Sequence, residues 1–527
     1  MNADTLSATL DDRGSRSDAH DRASAIRKPA LAGLFRLVWL WPALLALILG
    51  SYHLTRPELW RDELATWDAA TRTTGQLFWL LQHTDASSGA YYLFMHGWIS
   101  IFGDSAFALR LPSVLAMAAA AALTALIAKR MFGDRAALSA GIVFALLPAV
   151  SRFAQEARSY ALTVFAVALV TLLLLRALDR PGWRRWTGYT LGVALVGVLN
   201  LVALTFLAGH LVVVAVSWWQ RRDRRVLIGF PLATVAGFVL LLPVVRLGLR
   251  QVGNQFQLRS PDLGSVFAAW PQLFLSAMVA GAVTVAAPLA LGASRRQAVN
   301  GLAMAMLPIV AIWVVSQGDT SYWLARYLTF TLPAWAVVAG AGIAALRPAA
   351  AVAGLVVLAM LGVPDQRALR APDSHDWWNY PDPAPASPFS YAGAAAVIAK
   401  DYRPGDGLVP VREVIPYYMI DTGLRYNLPA DVQPRDIFAA HTGIELGKFF
   451  TEETTDPQAA LGDVQRLWLV RAGQPSDPLE DLSPGKAQVL RDNFIVTRVV
   501  HPSGMATVAL LERKPVAVAQ PQGKAHS

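Results

Sequence analysis

Two adjacent carboxylates beside an arginine, Arg61-Asp62-Glu63, follow the first long apolar stretch of the chain. Carboxylates at the water end of an apolar helix are costly to hold there. They suit a general base, a metal ligand or a partner for substrate hydroxyls. The alternative is a solvated loop in which an acidic pair begins a helix. Charged residues in comparable positions elsewhere in the chain favour a chemical site.

A second group of charges lies in the short segment 151–160, between two apolar stretches. Glu156 adds a carboxylate, and Arg152 and Arg158 are cations on the side of the membrane whose short loops are otherwise poor in cations. A lipid phosphate would explain those cations, whereas a structural ion pair or an error in the topology are the alternatives. Arg110 and Arg326 stand similarly at the ends of apolar stretches, where snorkelling explains each one singly but explains the group less well.

Other kinds of chemistry have little support. The chain has no cysteine, which excludes disulfides and thiolate metal sites. His83 and Asp85 could share a divalent cation, but no His-x-x-x-His spacing is present, so metal dependence stays open. Neither a phosphate-binding Gly-x-x-x-x-Gly-Lys-Ser/Thr loop nor a strand-borne dinucleotide motif occurs, and no nucleotide cofactor is expected.

The elements that must position these residues are membrane helices. Of the 527 residues, 54% are hydrophobic and 16% are charged, against roughly 25% charged in soluble proteins. Mean hydropathy is +0.39. Apolar stretches near the length that crosses about 30 Å of hydrocarbon recur along the chain. They predict about eleven spans, at 34–54, 107–128, 136–150, 161–178, 187–199, 202–218, 226–245, 266–291, 299–315, 327–346 and 349–363.

Basic residues between these stretches predict the orientation. They cluster at 129–135, 176–185, 221–225 and 295–296, which is every second connection, and cationic loops stay cytoplasmic. The amino terminus joins that side, and an odd number of spans then places everything after about residue 364 on the outer face.

The high Ala and Arg content suggests a GC-rich bacterial source, so we expect a multi-pass protein of the bacterial plasma membrane. The +9 charge does not indicate nucleic acid, because the basic residues lie between apolar runs.

Composition divides the chain further. A polar start, an apolar middle and a Pro-rich, aromatic segment followed by a tail of soluble character predict five regions. They are a disordered cytoplasmic tail (1–33), a transmembrane catalytic module (34–365) whose long outer loop (55–105) carries interfacial helices, a linker (366–390), an extracytoplasmic α/β domain (391–515) and a disordered tail (516–527). In the α/β domain we expect a helix at 394–400, strands at 407–411 and 466–470, and a hairpin formed by 495–500 and 507–511.

Taken in order, the motifs resemble the GT-C membrane glycosyltransferases, in particular glycosyltransferase family 39 with its protein O-mannosyltransferases and lipid A aminoarabinose transferases. The resemblance covers about residues 34 to 365. Where many relatives read Asp-x-His-Pro-Pro-Leu-Tyr-Tyr, this chain has Asp85-Ala86-Ser87-Ser88-Gly89-Ala90-Tyr91-Tyr92, which leaves the sugar and any metal in doubt. The matching segments are Trp60-Arg61-Asp62-Glu63, 91–98, 102–105, 109–113, 155–162 and 325–328 with Pro333.

The resemblance implies a polytopic α-helical GT-C-like fold and an inverting transfer on the outer face. A mannose or arabinofuranose-like sugar would move from a polyprenyl phosphate to a cell-envelope glycan, lipid or protein. Asp62 would be the general base, Glu63 would position the sugar or orient Asp62, and Glu156 would be the second carboxylate. The donor phosphate would be bound by Arg110, Arg158 and Arg326, and the substrates by Asp85, Tyr91, Tyr92, His96, Tyr160 and Tyr327.

Two other classes remain open at this point. A transporter or flippase for a lipid-linked sugar would also be basic and polytopic, but its charges usually lie near mid-membrane on broken helices, often in paired repeats. A glycan-binding outer domain on a membrane anchor would use aromatic residues such as Trp377, Trp378 and Tyr380 for stacking. Acids in outer loops, a long first loop and about eleven spans favour the enzyme over both.

Overall fold

The computed structural model describes residues 37–251, 258–371, 389–413 and 419–515. The two tails expected at 1–33 and 516–527 and the linker aromatics Trp377, Trp378 and Tyr380 lie outside these described residues. The described part consists of a helical bundle, a helical segment that follows the first bundle helix, and a C-terminal region built on a β-sheet.

Seventeen α-helices, α1 to α17, occur in order along the described part of the helical region. Short 3₁₀ helices at Leu201–Thr205 and Ala325–Thr331 lead into α10 and α16. The α-helices are Leu40–Ser51, Arg61–Thr71, Thr74–His83, Gly89–Phe102, Ala106–Phe132, Asp134–Leu146, Pro148–Ala154, Tyr160–Asp179, Trp183–Leu199, Phe206–Arg221, Arg224–Leu249, Leu263–Phe274, Ala277–Ala286, Ala290–Ala293, Arg295–Val315, Leu332–Ala344 and Pro348–Ala368.

Seven helices among the described residues are long and apolar enough to cross a membrane, and the number rises to nine if each of two bent pairs is one span. The bent pairs are Asp134–Leu146 with Pro148–Ala154, at 63°, and Leu263–Phe274 with Ala277–Ala293, at 97°. Every apolar stretch singled out in the sequence overlaps a helix or a bent pair. The count of eleven is reached only by adding α1, of 12 residues, and α9, of 17 residues, which are shorter than a full span.

Small residues let the central bundle helices approach closely. A Cβ on Gly340 of α16 would lie 2.3 Å from the Cα of Ala140 on α6, and one on Gly209 of α10 would lie 2.6 Å from the Cα of Met304 on α15. Membrane helices associate through such backbone proximity, because lipid supplies no hydrophobic driving force between them. The alanine-rich helices α5 and α6 are buried in the same core.

The segment between α1 and α5 is helical. The helices expected within 55–105 are α2, α3 and α4, the last of which is Gly89–Phe102. Thr73 caps α3 by accepting a hydrogen bond from the Gln76 amide, and Ser105 caps α5 in the same way through the Ala108 amide. These caps fix the starts of α3 and α5, the helices that directly follow α2 and α4, which carry the candidate site residues at 61–63 and 91–96.

The C-terminal region contains a five-stranded sheet of order β2-β1-β5-β7-β6. β1 lies parallel to β2 and β5, while β7 pairs antiparallel with β5 and β6. The strands and helix expected from the sequence are all present. The strands β1 to β7 are Gly407–Pro410, Arg435–Asp436, Ala439–His441, Glu452–Glu453, Arg466–Ala472, Phe494–Ser503 and Ala506–Arg513, and the helices α18 to α21 are Tyr391–Asp401, Ile420–Asn427, Pro457–Leu461 and Pro484–Asn493.

One hydrophobic core joins the C-terminal region to the helical segment 59–102. Leu64, Leu77 and Tyr92 from that segment belong to the same buried cluster as Ile398 of α18 and Trp468 of β5. The opposite face of the sheet has a core of its own. Burial of apolar surface between the two parts is the dominant attraction that holds the sheet over the helices carrying the candidate site.

Candidate functional site

The site is built around the start of α2. Trp60 has an extended backbone and precedes the helix, so Asp62 and Glu63 occupy its first turn. Successive residues on a helix point about 100° apart. Glu63 therefore faces the protein interior and is completely buried, whereas the Asp62 side chain keeps about 20% of its surface exposed.

Glu63 and Arg110 form a fully buried ion pair. Arg110 donates to Glu63 Oε1 from Nε at 2.8 Å and to Oε2 from Nη2 at 2.7 Å. Its other hydrogen bonds go to the carbonyl oxygens of Leu54, Pro57 and Glu58. All five guanidinium N–H groups are thus used within the protein.

This network corrects two expectations. Arg110 has no donor left for a lipid phosphate, and we assign it to holding Glu63 and the turn before α2 instead. Glu63 Oε1 also accepts from the Ala157 amide at 2.8 Å, which ties α2 to the segment that carries Glu156. Both carboxylate oxygens of Glu63 are thus occupied by groups of the protein, and we assign Glu63 to orienting the start of α2.

Asp62 lies among arginines. Its carboxylate oxygens are 3.7 Å from Arg61 Nε and 3.9 Å from Arg326 Nη2. Burial raises the pKa of Asp62, but Arg326, Arg158, Arg61 and Arg152 lower it, in that order, and the net result is a pKa below the ordinary value. Asp62 is held ionised at neutral pH, which is the state a general base needs.

The Trp60 ring lies against three of these arginines. This residue is 2% exposed, and the guanidinium carbons of Arg61, Arg152 and Arg326 lie 5.7, 5.9 and 5.8 Å from its ring centroid. Cation–π attraction at these distances offsets part of the repulsion between the three cations. The sequence places Arg61 beside the acid pair and Arg152 near Arg158 without assigning either a role at the site, and it did not indicate a role for Trp60, because nothing in local spacing shows that three separate segments converge on one ring.

Glu156 is the second carboxylate of the site and is 1% exposed. Its Oε2 accepts from Arg152 Nη1 at 2.7 Å, and its Oε1 has no hydrogen-bond partner among the described residues. Burial raises the pKa of Glu156; Arg152 lowers it and the nearby Glu63 and Asp62 raise it, and the net shift is upward. A buried carboxyl oxygen without a partner is a position where a substrate hydroxyl can bind.

Arg158 belongs to a relay that reaches Asp85. Arg158 Nη1 donates to the Tyr92 hydroxyl at 3.0 Å, and that hydroxyl donates to Asp85 Oδ2 at 2.6 Å. The other oxygen of Asp85 accepts from the hydroxyls of Ser87 and Ser88, both at 3.0 Å. No other hydrogen bond from Arg158 to a described residue is present, so the rest of its guanidinium is available to a ligand.

The remaining candidate residues differ in their position. Tyr160 and Tyr327 lie side by side with ring centroids 6.2 Å apart, next to Arg326. Tyr91 is 1% exposed, and burial raises its pKa, which keeps the phenol neutral. His96 contacts the Ala70 carbonyl and the Thr74 hydroxyl through its two ring nitrogens, so it packs α4 against α2 and α3.

A metal site at His83 and Asp85 is not formed in the structure. His83 Nδ1 contacts the Trp79 carbonyl at 2.8 Å, while both Asp85 oxygens are engaged in the relay. Among the described residues, no group of three or more histidine, aspartate or glutamate side chains is arranged to hold a metal ion. The charged groups near Asp62 are instead four arginines against the carboxylates of Asp62, Asp85 and Glu156, an excess of positive charge.

A cavity of about 170 Å³ lies elsewhere, in the C-terminal region beside the end of β1. Arg412 on its wall donates to Asp421 at 2.8 Å and to Glu453 at 3.0 Å, and it also pairs with Asp436. Lys486 pairs with Glu413 and Glu453. Because these charges are paired with one another, the cavity is a weaker candidate for a catalytic site than the cluster around Asp62.

The chain is similar in sequence and in fold to known proteins. Residues 90–246 match the family model described as dolichyl-phosphate-mannose-protein mannosyltransferase. Over 148 residues the chain is 32% identical to the undecaprenyl phosphate-alpha-4-amino-4-deoxy-L-arabinose arabinosyl transferases of two Pseudomonas aeruginosa strains. That match spans 27% of this chain and 27% of each relative, so it concerns about a quarter of their length.

Solved structures match along nearly the whole chain. The crystal structure of ArnT from Cupriavidus metallidurans in the apo state superposes with a TM-score of 0.59 at 17% identity, covering 91% of this chain and 98% of ArnT. The form bound to undecaprenyl phosphate gives 0.58 at 16% identity, covering 92% and 99%. The fold is therefore the GT-C fold of membrane glycosyltransferases. Within that class the chain resembles glycosyltransferase family 39, and its fold is similar to that of ArnT.

Proposed function

We propose that this protein is an integral-membrane inverting glycosyltransferase that moves a hexose or pentose from a polyprenyl phosphate to a cell-envelope acceptor. The observation that carries the proposal is the convergence of Asp62, Arg158 and Arg326 at one partly exposed site. A carboxylate can take a proton from an acceptor hydroxyl, and two arginines can stabilise the charge on a departing phosphate. The transferases named above act on, or bind, polyprenyl phosphates and support this assignment.

In the proposed reaction the acceptor oxygen attacks the anomeric carbon from the side opposite the phosphate, so the configuration inverts. Asp62 receives the acceptor proton, and because its pKa is lowered, proton transfer accompanies bond formation rather than preceding it. Arg158 and Arg326 bind the phosphate oxygens as their charge grows. Glu156 accepts a hydrogen bond from a substrate hydroxyl at Oε1, and Tyr160 and Tyr327 line the sugar site.

We place this site on the outer face of a bacterial plasma membrane. Eleven crossings, obtained when α1 and α9 complete the nine spans, put the amino terminus in the cytoplasm and the C-terminal sheet outside. The basic connections at 129–135, 176–185, 221–225 and 295–296 then all face the cytoplasm. Apolar grooves between spans would hold the isoprenoid tail of the donor, and no nucleotide or nucleic acid takes part.

The proposal is tested on the full-length protein in detergent with a panel of polyprenyl-phosphate sugars that includes mannose and arabinofuranose donors. We expect one donor to be consumed, with release of polyprenyl phosphate, when cell-envelope extract supplies the acceptor. Asp62→Asn should abolish that release while leaving the thermal unfolding midpoint close to that of the unaltered protein. No consumption of any donor, or normal turnover by Asp62→Asn, would contradict the proposal.

A further inference from the structure

Arg158 is held in place by a tyrosine that is itself held by the C-terminal region. Tyr92 is completely buried, and its hydroxyl both accepts from Arg158 and donates to Asp85. The Tyr92 hydroxyl binds Arg158 directly, and its position is set by the direction of the Tyr92 ring. The ring direction therefore influences where the Arg158 guanidinium lies. The packing partner of that ring is therefore part of the geometry of the site.

One aromatic partner from a distant part of the chain is Phe449, in the segment between β3 and β4; the neighbouring Tyr91 ring is 6.5 Å away. The rings of Tyr92 and Phe449 are 6.1 Å apart at 75°, an edge-to-face pair. Phe449 lies more than 350 residues after Tyr92 in the sequence, so no sequence pattern near either residue predicts the contact. Phe450, the next residue, turns the other way: it is 44% exposed and lines the separate cavity beside the end of β1.

The Phe449 segment is fastened to the helices of the site by several contacts. Arg72, at the end of α2, donates from Nη2 to the Lys448 carbonyl at 2.5 Å, and its guanidinium lies 5.8 Å from the Phe449 ring. Trp79 donates to the Glu445 carbonyl at 3.2 Å. Gly447 has φ +65°, and a Cβ there would meet Trp79 at 2.9 Å, so the close approach requires glycine.

Two further contacts hold the C-terminal region on either side of the segment. Asp68 of α2 pairs with Arg72 at 2.7 Å and also with Arg425 of α19, so one buried carboxylate joins the two regions. Glu58, just before Trp60, accepts from the Ser390 hydroxyl at 2.7 Å and the Ala392 amide at 3.0 Å. The C-terminal region therefore contacts the site helices before α2, along α2 and at α4.

We infer that Phe449 is a positioning residue for the donor phosphate: by packing on Tyr92 it sets the direction in which Arg158 faces the ligand. The C-terminal region then helps to form the phosphate site, in addition to packing against the helices that carry it. This inference rests on the proposed function, because only a polyprenyl-phosphate donor supplies the phosphate that Arg158 would bind.

The test measures binding of undecaprenyl phosphate to the full-length protein in detergent by native mass spectrometry. Phe449→Ala removes the ring against Tyr92 and should weaken binding about five- to tenfold, the effect of losing an aromatic contact that orients a charged ligand group. Phe450→Ala is the matched control, because it removes the same side chain one position along and should leave affinity within twofold. Phe449→Leu, which keeps apolar contact, should lie between the two.

A double-variant comparison separates positioning from general destabilisation. If Phe449 acts through Arg158, Phe449→Ala should have no further effect on affinity once Arg158→Ala is present. Effects that multiply instead, or equal affinities for Phe449→Ala and Phe450→Ala, would overturn the inference while leaving the proposed function intact. Failure of the unaltered protein to bind undecaprenyl phosphate at all would overturn the proposed function itself. Should Phe449→Ala fail to fold, Phe449→Leu carries the same comparison.

Discussion

Glu63 and Arg110 form a pair that the sequence could place near a site but could not assign. Both are completely buried, and every donor of Arg110 is used within the protein. Removing one member leaves the other charge buried without compensation, which typically costs about 3–5 kcal/mol. We predict that Arg110→Met lowers the thermal unfolding midpoint strongly, as measured by differential scanning at one fixed rate in detergent.

Arg158→Met is the matched comparison for this pair. Arg158 makes one hydrogen bond to a described residue and faces the partly open site, so its removal should leave the unfolding midpoint nearly unchanged and weaken undecaprenyl phosphate binding. An Arg110→Met protein that unfolds at the normal temperature but binds the lipid poorly would restore Arg110 to the phosphate site and contradict the assignment made from its hydrogen bonds.

Asp62 makes a prediction about pH. Burial raises the pKa of Asp62, but Arg326 and the other arginines together lower it by more than burial raises it. The net pKa therefore lies below the ordinary aspartate value. Activity that needs the ionised carboxylate is present above this pKa and is lost as the pH falls through it. We predict that Arg326→Gln moves the acid limb of the kcat/KM profile to higher pH, because the largest favourable charge is removed.

The same profile recorded for Arg326→Lys provides the control. Lysine keeps the charge near Asp62, so the acid limb should stay close to its original position even if the rate falls through loss of phosphate contacts. The position of the limb does not depend on the absolute rate, which separates the two proposed effects of Arg326. An acid limb that does not move in Arg326→Gln would show that Asp62 is not the group titrating there.

At the residue scale, the sequence predicted the candidate carboxylates and arginines because charges at the ends of apolar stretches need a reason. It could not separate Arg110 from Arg158. Both are cations near an outer edge, and only the three-dimensional path shows that Arg110 meets three carbonyl oxygens while Arg158 meets one tyrosine. Trp60 belongs to a motif visible in the sequence, but its contact with three arginines depends on segments that are far apart in the chain.

At the element scale, the apolar stretches predicted where helices lie and did not predict their bends. The stretch at 136–150 was expected as one span, but the chain breaks before Pro148, where proline at the first turn begins α7 at 63° to α6. The bend directs α7 and Arg152 toward Trp60. Hydropathy averages over a window, so it records how apolar a stretch is and carries no information on its direction.

Close helix packing gives a prediction at this scale. A Cβ on Gly340 of α16 would lie 2.3 Å from the Ala140 backbone, whereas one on Gly354 of α17 would have its nearest neighbour, Ile343, at 3.7 Å. Both positions are helical, so both Gly→Ala changes gain the same helix propensity. We predict that Gly340→Ala lowers the unfolding midpoint, by the overpacking cost of about 1–3 kcal/mol, and that Gly354→Ala does not. Equal midpoints for the two variants would mean that α6 and α16 can move apart freely.

At the scale of the whole molecule, the C-terminal region is where sequence and structure differ most in what they imply. Its strands and first helix follow from alternation and turn residues, and they lie where the pattern placed them. The pattern described a separate domain behind a linker. In the structure Ile398, Trp468 and Tyr92 share one core, and Arg425 pairs with Asp68 of α2. Contacts between distant segments of a chain have no local signature.

The orientation of the molecule is the last prediction, and the absence of native cysteine makes it directly testable. Gly182 lies in a basic connection and Gln474 in the C-terminal region, and both are exposed. With the basic connections in the cytoplasm, Gln474→Cys should react with a membrane-impermeant maleimide on intact spheroplasts, whereas Gly182→Cys should react only after permeabilisation. The reverse pattern would place Asp62 and its arginines in the cytoplasm. Reaction of both cysteines in intact spheroplasts would show that the charge asymmetry does not set the topology of this chain.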